Sequence, residues 1–241
     1  VSRFTLTVLA DAARLAWTLA AEVQALSQAS GDGPIAIALA GGSTPRQLYE
    51  TLATPPFVTG VHWQRLEFFF GDERAVPPEH PESNFGMVER ALLAHVPVRA
   101  HRMSAEHGDA EGYARLLAER VAARRDGVPV LDLVLLGIGP DGHTASLFPG
   151  TAALAEHTRW VVMNEVPQLA TRRMTFTFPL LNAARRVWVL AAGAAKRGIV
   201  GQCLRARELE GAEQQWPVLG VRPDAGELTW WLDAAAAGEE A

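Results

Sequence analysis

The chain is poor in cysteine, in basic runs and in long apolar stretches, and each shortage removes a class of protein. Cys203 is the only cysteine in 241 residues, so neither an intramolecular disulfide nor a cysteine-rich zinc site is available. Its setting, Ile199-Val200-Gly201-Gln202-Cys203-Leu204, reads as a packed thiol on a helix. The formal charge is −5 and no Lys or Arg run exists, which disfavours a nucleic-acid partner. A few clustered cations would still suffice for a small anion. No apolar run approaches the ~20 residues that span a bilayer, and the N-terminal segment has no charged-then-apolar leader pattern. No membrane partner is therefore expected, and the cytoplasm is the expected location. His62, His80, His95, His101, His107 and His157 lack the His-x-x-x-His type of spacing, so no metal is expected. There is no Gly-x-Ser-x-Gly elbow for a serine hydrolase and no Walker A loop.

What remains is an ordinary globular composition, with 49% apolar and 20% charged residues, long enough to bury a substantial core. Phe4–Leu9 predicts a short edge strand, and Asp11 a cap for a helix with Leu15, Leu19, Val23 and Leu26 on one face. Gly31-Asp32-Gly33-Pro34 is a turn. Strands follow at Ile35–Ala40, Leu66–Phe70, Leu131–Leu136, Trp160–Met163, Met174–Phe178 and Val187–Leu190. Helices are predicted at about Pro45–Ala53, Asn84–Ala94, Asp109–Arg125 and Ala194–Arg207. Alternating strands and helices predict an α/β fold with a mostly parallel sheet and helices on both faces. One domain over residues 1–241 is expected, with its core from about Thr5 to Leu232 and a frayed tail from Ala234 to Ala241.

Three strand ends carry chemistry. Ala40-Gly41-Gly42-Ser43-Thr44-Pro45 opens a helix with glycines and two hydroxyls, Ser43 or Thr44 at the N-cap and Pro45 at the first helical position. Such a turn either holds a phosphate or simply caps a helix. Phe70-Gly71-Asp72-Glu73-Arg74, followed by Ser83-Asn84, releases charges at the end of a buried strand. Asp72 and Arg74 would then bind sugar hydroxyls or phosphate, or form a solvated pair. The third stretch, Gly137-Ile138-Gly139-Pro140-Asp141-Gly142-His143, matches Gly-x-Gly-x-x-Gly, yet Pro149-Gly150 ends any following helix too early for a nicotinamide site. It delivers His143 beside Asp141, which reads as a general base with an orienting carboxylate, or as a structural histidine. Arg172 and Arg173 open a strand, and Lys196 sits where a cation opposes a helix dipole, a cost that a bound phosphate would offset.

Taken together in this order and spacing, the three motifs resemble the glucosamine-6-phosphate isomerase/6-phosphogluconolactonase family over most of the chain. The resemblance implies a single Rossmann-like domain, no cofactor, and hydrolysis of 6-phospho-D-glucono-1,5-lactone in the oxidative pentose phosphate pathway. It implies that His143 lies near the lactone and that Asp72 and Arg74 form the family's acidic-basic pair, so that His143, Asp141 and Asp72 are the expected catalytic residues. Gly41, Gly42, Ser43, Thr44 and Lys196 match its phosphate-contacting elements, with Asn84 beside them and Arg172 or Arg173 less securely aligned. Relatives that isomerise and deaminate the amino sugar carry a stretch ending Phe-Asn-Glu-Pro after the Asp-Gly-His. Here that stretch is Ala145-Ser146-Leu147-Phe148-Pro149, without a carboxylate, which favours the lactonase. The rivals are such an isomerase and a binding module without turnover. The partner is thus a phosphosugar lactone; no motif encodes an oligomeric state, and a monomer is compatible with the pattern. In the expected mechanism neutral His143 takes a proton from the attacking water, and amides of the Gly139–Gly142 turn meet the oxyanion.

Overall fold

The computed structural model describes residues 3–29, 31 and 33–238. Apolar runs become strands that admit no water on either side. In β2 (Ile35–Leu39) and β3 (Leu66–Phe70) every residue is buried, as are the first four of β6 (Leu133–Gly137). A strand with both faces covered is the signature of a parallel sheet sandwiched by helices. With β1 (Arg3–Leu9), β5 (Arg99–Ala100), β9 (Arg186–Ala191) and β10 (Glu227–Asp233), these strands form one sheet in the order β1-β10-β9-β6-β2-β3-β5. Every neighbouring pair in it is parallel. The fold is a Rossmann-like α/β domain.

The order of the strands decides where a ligand can sit. From β2 the chain steps outward to β3 and β5, then returns to build β6 on the opposite flank. Connections leaving β2 and β6 therefore diverge and open a crevice at the carboxyl ends, the usual place for a ligand in such sheets. A second, antiparallel sheet stands beside this end. It comprises β4 (Asp72–Arg74), β7 (Val161–Val166) and β8 (Thr171–Phe176), in the order β4-β8-β7.

The helices follow the sequence with instructive departures. In α1 (Ala12–Gln28) the Asp11 carboxylate accepts from the Arg14 amide at 2.7 Å, and Leu15, Leu19 and Val23 are buried. The predicted Asp109–Arg125 helix is shorter: α4 spans Ala110–Arg120. Beyond it Asp126 and Gly127 adopt positive φ, closing a two-residue hairpin that pairs Arg124–Arg125 with Val128–Pro129. An Asp-Gly turn of that kind overrides the helical pattern of its neighbours. α3 (Asn84–Ala91) also stops earlier than predicted, passing into a 3₁₀ turn at Leu93–His95. Strand β10 was not predicted at all. The expected frayed tail begins instead with α6 (Ala234–Ala237), capped by Asp233 and burying Ala236. Asp32 of the predicted turn and the last residues of the tail lie outside the described residues. Cys203 is buried on α5 (Arg197–Ala206), as its setting suggested.

Candidate active site

Four strand ends converge on one groove of about 210 Å³. Its walls include Gly41, Gly42, Ser43 and Thr44 after β2, Asp72 and Arg74 in β4, and Asn84 of α3. The turn after β6 contributes His143, the strand β8 contributes Arg173, and the turn after β9 contributes Lys196.

The β2 turn is shaped by what must approach it. A Cβ on Gly41 would lie 1.8 Å from Asn84 Oδ1, so only glycine lets Asn84 enter the groove. Gly42, with φ of 102°, is the N-cap of α2 (Ser43–Leu52), which begins earlier than the sequence suggested. Ser43 and Thr44 therefore occupy the first two helical positions, with Pro45 third, and no side chain caps the helix. First-turn amides have no partner within their own helix, which leaves this end open to an anion. Behind it the Tyr49 hydroxyl donates to the Ala40 carbonyl at 2.9 Å and accepts from the Ala40 amide at 3.0 Å, pinning the strand end.

The acidic-basic pair is held by a buried lattice. Asp72 accepts from the Ser146 hydroxyl at 2.6 Å and from Asn84 Nδ2 at 3.2 Å. Arg74 donates to Asn84 Oδ1 at 2.7 Å and to the Glu82 carbonyl at 2.5 Å. Between them in sequence, Glu73 turns inward and accepts from the amides of Asn84 and Phe85, both at 2.7 Å, fastening α3 to β4. Burial pushes the Glu73 carboxyl above the ordinary carboxylate range, against the pull of those amides. Both Arg74 and Arg173 keep a buried Nε without a hydrogen-bond partner among the described residues.

In the β6 turn the His143 Nδ1 lies 2.5 Å from Asp141 Oδ1, and its backbone amide donates to the same oxygen at 3.1 Å. Desolvation by burial depresses the His143 pKa; the carboxylates of Asp141 and Asp72 oppose this and Arg173 reinforces it. Burial alone would raise the Asp141 carboxyl, but the charge and hydrogen bonds of His143 outweigh it and hold the group low. At neutral pH the pair is thus a neutral imidazole against an ionised carboxylate. The carboxylate only accepts, so Nδ1 carries the proton and Nε2 is the basic nitrogen. Gly139 is obligatory here, since a Cβ on it would stand 2.1 Å from the imidazole ring.

The structure corrects one expectation at this site and narrows another. Arg172 is outside the groove: it pairs with Glu165 at 2.7 Å on the exposed side of the hairpin. Alternate residues of a strand face opposite ways, so Arg173 takes the inward place and lines the groove. Two amides of the Gly139–Gly142 turn are also already committed. Gly139 donates to the His143 carbonyl at 2.8 Å and Gly142 to the Gly139 carbonyl at 3.0 Å. Pro140 has no N–H, so among the amides of this turn only that of Asp141 is without a backbone acceptor.

Lys196 is the only lysine in the sequence. Its Nζ donates to the Ile138 carbonyl at 2.7 Å, tethering it to the turn that carries His143. Two of its three donors remain for a ligand. The preceding Gly193, at φ of 90°, donates its amide to both oxygens of Asp233 at 3.0 Å, so the end of β10 sets this turn. Ser146 and Phe148 are not among the expected site residues, although both lie in the Ala145–Pro149 stretch that lacks the isomerase carboxylate. Among the described residues no group of acidic, histidine or cysteine side chains is arranged to hold a metal, and no helix is long and apolar enough to cross a membrane.

Comparison with known proteins agrees with the motifs. The family model for glucosamine-6-phosphate isomerases/6-phosphogluconolactonase matches residues 10–230. A 6-phosphogluconolactonase of Synechocystis sp. is 40% identical over 207 residues, covering 83% of this chain and 82% of the relative. One from Haemophilus influenzae is 35% identical, covering 84% and 86%. The solved structure of 6-phosphogluconolactonase from Trypanosoma brucei superposes with a TM-score of 0.85 at 30% identity, covering 99% of both chains. A monomeric glucosamine-6-phosphate deaminase shares the fold at 18% identity and a TM-score of 0.76. The motifs, the sheet that gathers them and these relatives agree: this chain belongs to the glucosamine-6-phosphate isomerase/6-phosphogluconolactonase family.

Proposed function

We propose that the chain hydrolyses 6-phospho-D-glucono-1,5-lactone to 6-phospho-D-gluconate, with His143 as general base. The observation that carries this reading is a neutral, Asp141-oriented imidazole in the same groove as Arg74, Arg173, Lys196 and the open end of α2. The relatives named 6-phosphogluconolactonase, at 35 to 40% identity, support the substrate.

A δ-lactone is electrophilic enough to be attacked by water once a base removes the proton. Water adds to C1 while His143 Nε2 takes its proton; the ring C–O bond then breaks and the imidazolium returns that proton to the departing oxygen. Asp141 holds the tautomer and steadies the imidazolium. Asp72, with both oxygens occupied by Ser146 and Asn84, fixes the groove wall rather than moving protons. Charge on the carbonyl oxygen is met by Arg173, the cation whose field reaches the imidazole, in place of the committed Gly139 and Gly142 amides. The phosphate is held at the other end by the Ser43 and Thr44 amides, Arg74 and Lys196, and anchoring it orients the ring for attack. A single buried cysteine suits a reducing compartment such as the cytoplasm.

The lactone opens spontaneously, so the test is acceleration above that background with freshly generated substrate. Hydrolysis no faster than the background, or ammonia release from glucosamine 6-phosphate, would overturn the reading.

A further inference from the structure

Phe148 is 1% exposed, yet it stands apart from the continuous apolar core that takes in its neighbour Leu147. The two side chains that meet its ring line the groove. The ring stacks on the His143 imidazole with centroids 3.9 Å apart and planes 25° from parallel. The Arg173 guanidinium carbon lies 5.2 Å from the centroid of the same ring. A buried phenylalanine that packs on a titratable ring and a cation has a task beyond filling space.

We propose that Phe148 is a positioning residue for His143: its ring fixes the plane of the imidazole and keeps water from it. The proposal rests on the reading of His143 as the base. The rotation of a histidine ring about its last side-chain bond is soft. One hydrogen bond to a half-exposed Asp141 carboxylate leaves that rotation poorly held. Stacking supplies the missing restraint, and the Gly139 backbone, which the imidazole touches closely, limits it further. The plane so fixed is the one in which Nδ1 meets Asp141 and leaves Nε2 for the groove. The same cover dries the ring. Charged groups that act on the imidazole come from three elements: Asp141 in its own turn, Asp72 in β4 and Arg173 in β8. Removing the cover lets water stabilise the imidazolium, so the proton would bind more tightly.

The decisive experiment combines kinetics with proton NMR of the histidine rings on the full chain, the His143 signals being assigned by their loss in His143→Ala. In the wild type the His143 ring protons are expected upfield of the other histidines through the ring current of Phe148. In Phe148→Leu they should return to ordinary positions and the titration midpoint should rise. Over the same substitution kcat is expected to fall roughly tenfold or more with KM within about twofold, the acid limb moving up in pH. Phe148→Tyr, which keeps the ring, should restore the upfield signals and the wild-type limb. Wild-type His143 signals at ordinary positions would overturn the proposal, and this needs no variant to fold. So would a folded Phe148→Leu protein with an unmoved titration midpoint. Failure of the lactonase reading would show separately, as a wild type without turnover whose ring signals are still displaced.

Discussion

The molecule contains two histidine–carboxylate pairs built alike and placed apart. His143 lies 2.5 Å from Asp141 and stacks on Phe148. His101 lies 2.6 Å from Glu67 and stacks on Phe69, with ring centroids 5.1 Å apart. Only their surroundings differ. Glu67 is buried near the start of β3 and also accepts from Arg120 Nε at 2.7 Å. Burial would raise its carboxyl, but His101 and Arg120 outweigh that and keep it ionised. Its charge is therefore balanced by a permanent cation whatever His101 does. Among the described residues Asp141 has no guanidinium partner, and its histidine lines a groove with Arg74, Arg173 and Lys196. On the proposed reading of His143, a short contact between imidazole and carboxylate marks a base only where the carboxylate has no other cation and the remaining nitrogen has somewhere to send a proton.

The largest expected effect tests that distinction directly. His143→Ala should lower kcat by roughly 10²–10⁴ with a much smaller change in KM. His101→Ala should leave kcat near the wild-type value and cost about 1–2 kcal/mol of stability in denaturant unfolding. Similar kinetic losses in the two variants would erase the contrast. Next comes the hairpin: Arg173→Ala should reduce kcat about a hundredfold, while Arg172→Ala, on the outward face, stays within about twofold. Equal effects would mean that strand alternation does not decide which arginine serves the site. Smaller again, Lys196→Ala should raise KM about tenfold and weaken the preference for the phosphorylated lactone over the unphosphorylated one. A retained preference would remove Lys196 from the anion site.

The pH profile gives the finest test. Burial lowers the pKa of His143, so the neutral, basic form persists as the pH falls to ~6.5, the ordinary histidine value, and is lost only below it. The acid limb of kcat/KM should therefore lie under that value. A limb at or above it would mean that the imidazole is wet, or that another group titrates.

Much of this site is legible as text because the chemistry sits in short segments that follow apolar runs. Buried strands must end where charges begin, so Phe70-Gly71-Asp72 and Leu136-Gly137 announce strand ends by themselves. Glycines mark the places where other groups press close, and Gly41 and Gly139 are obligatory for Asn84 and His143 respectively. Harder to read were the elements whose partners are remote in sequence. Strand β10 exists through pairing with β1 and β9 on either side, and its Asp233 then steadies the turn before Lys196. Likewise the Ser146–Asp72 bond joins residues 74 positions apart.

Sequence alone determined the α/β class, the strand ends at which function collects, and the pairing of Asp141 with His143, since each depends on local pattern or on residues two positions apart. Tertiary structure alone decided which arginine faces the groove, that the Gly139 and Gly142 amides are already committed, and which of two similar histidines lines the groove. Those choices depend on strand orientation, hydrogen-bond closure and burial, which are properties of the assembled sheet and are not carried by any one segment.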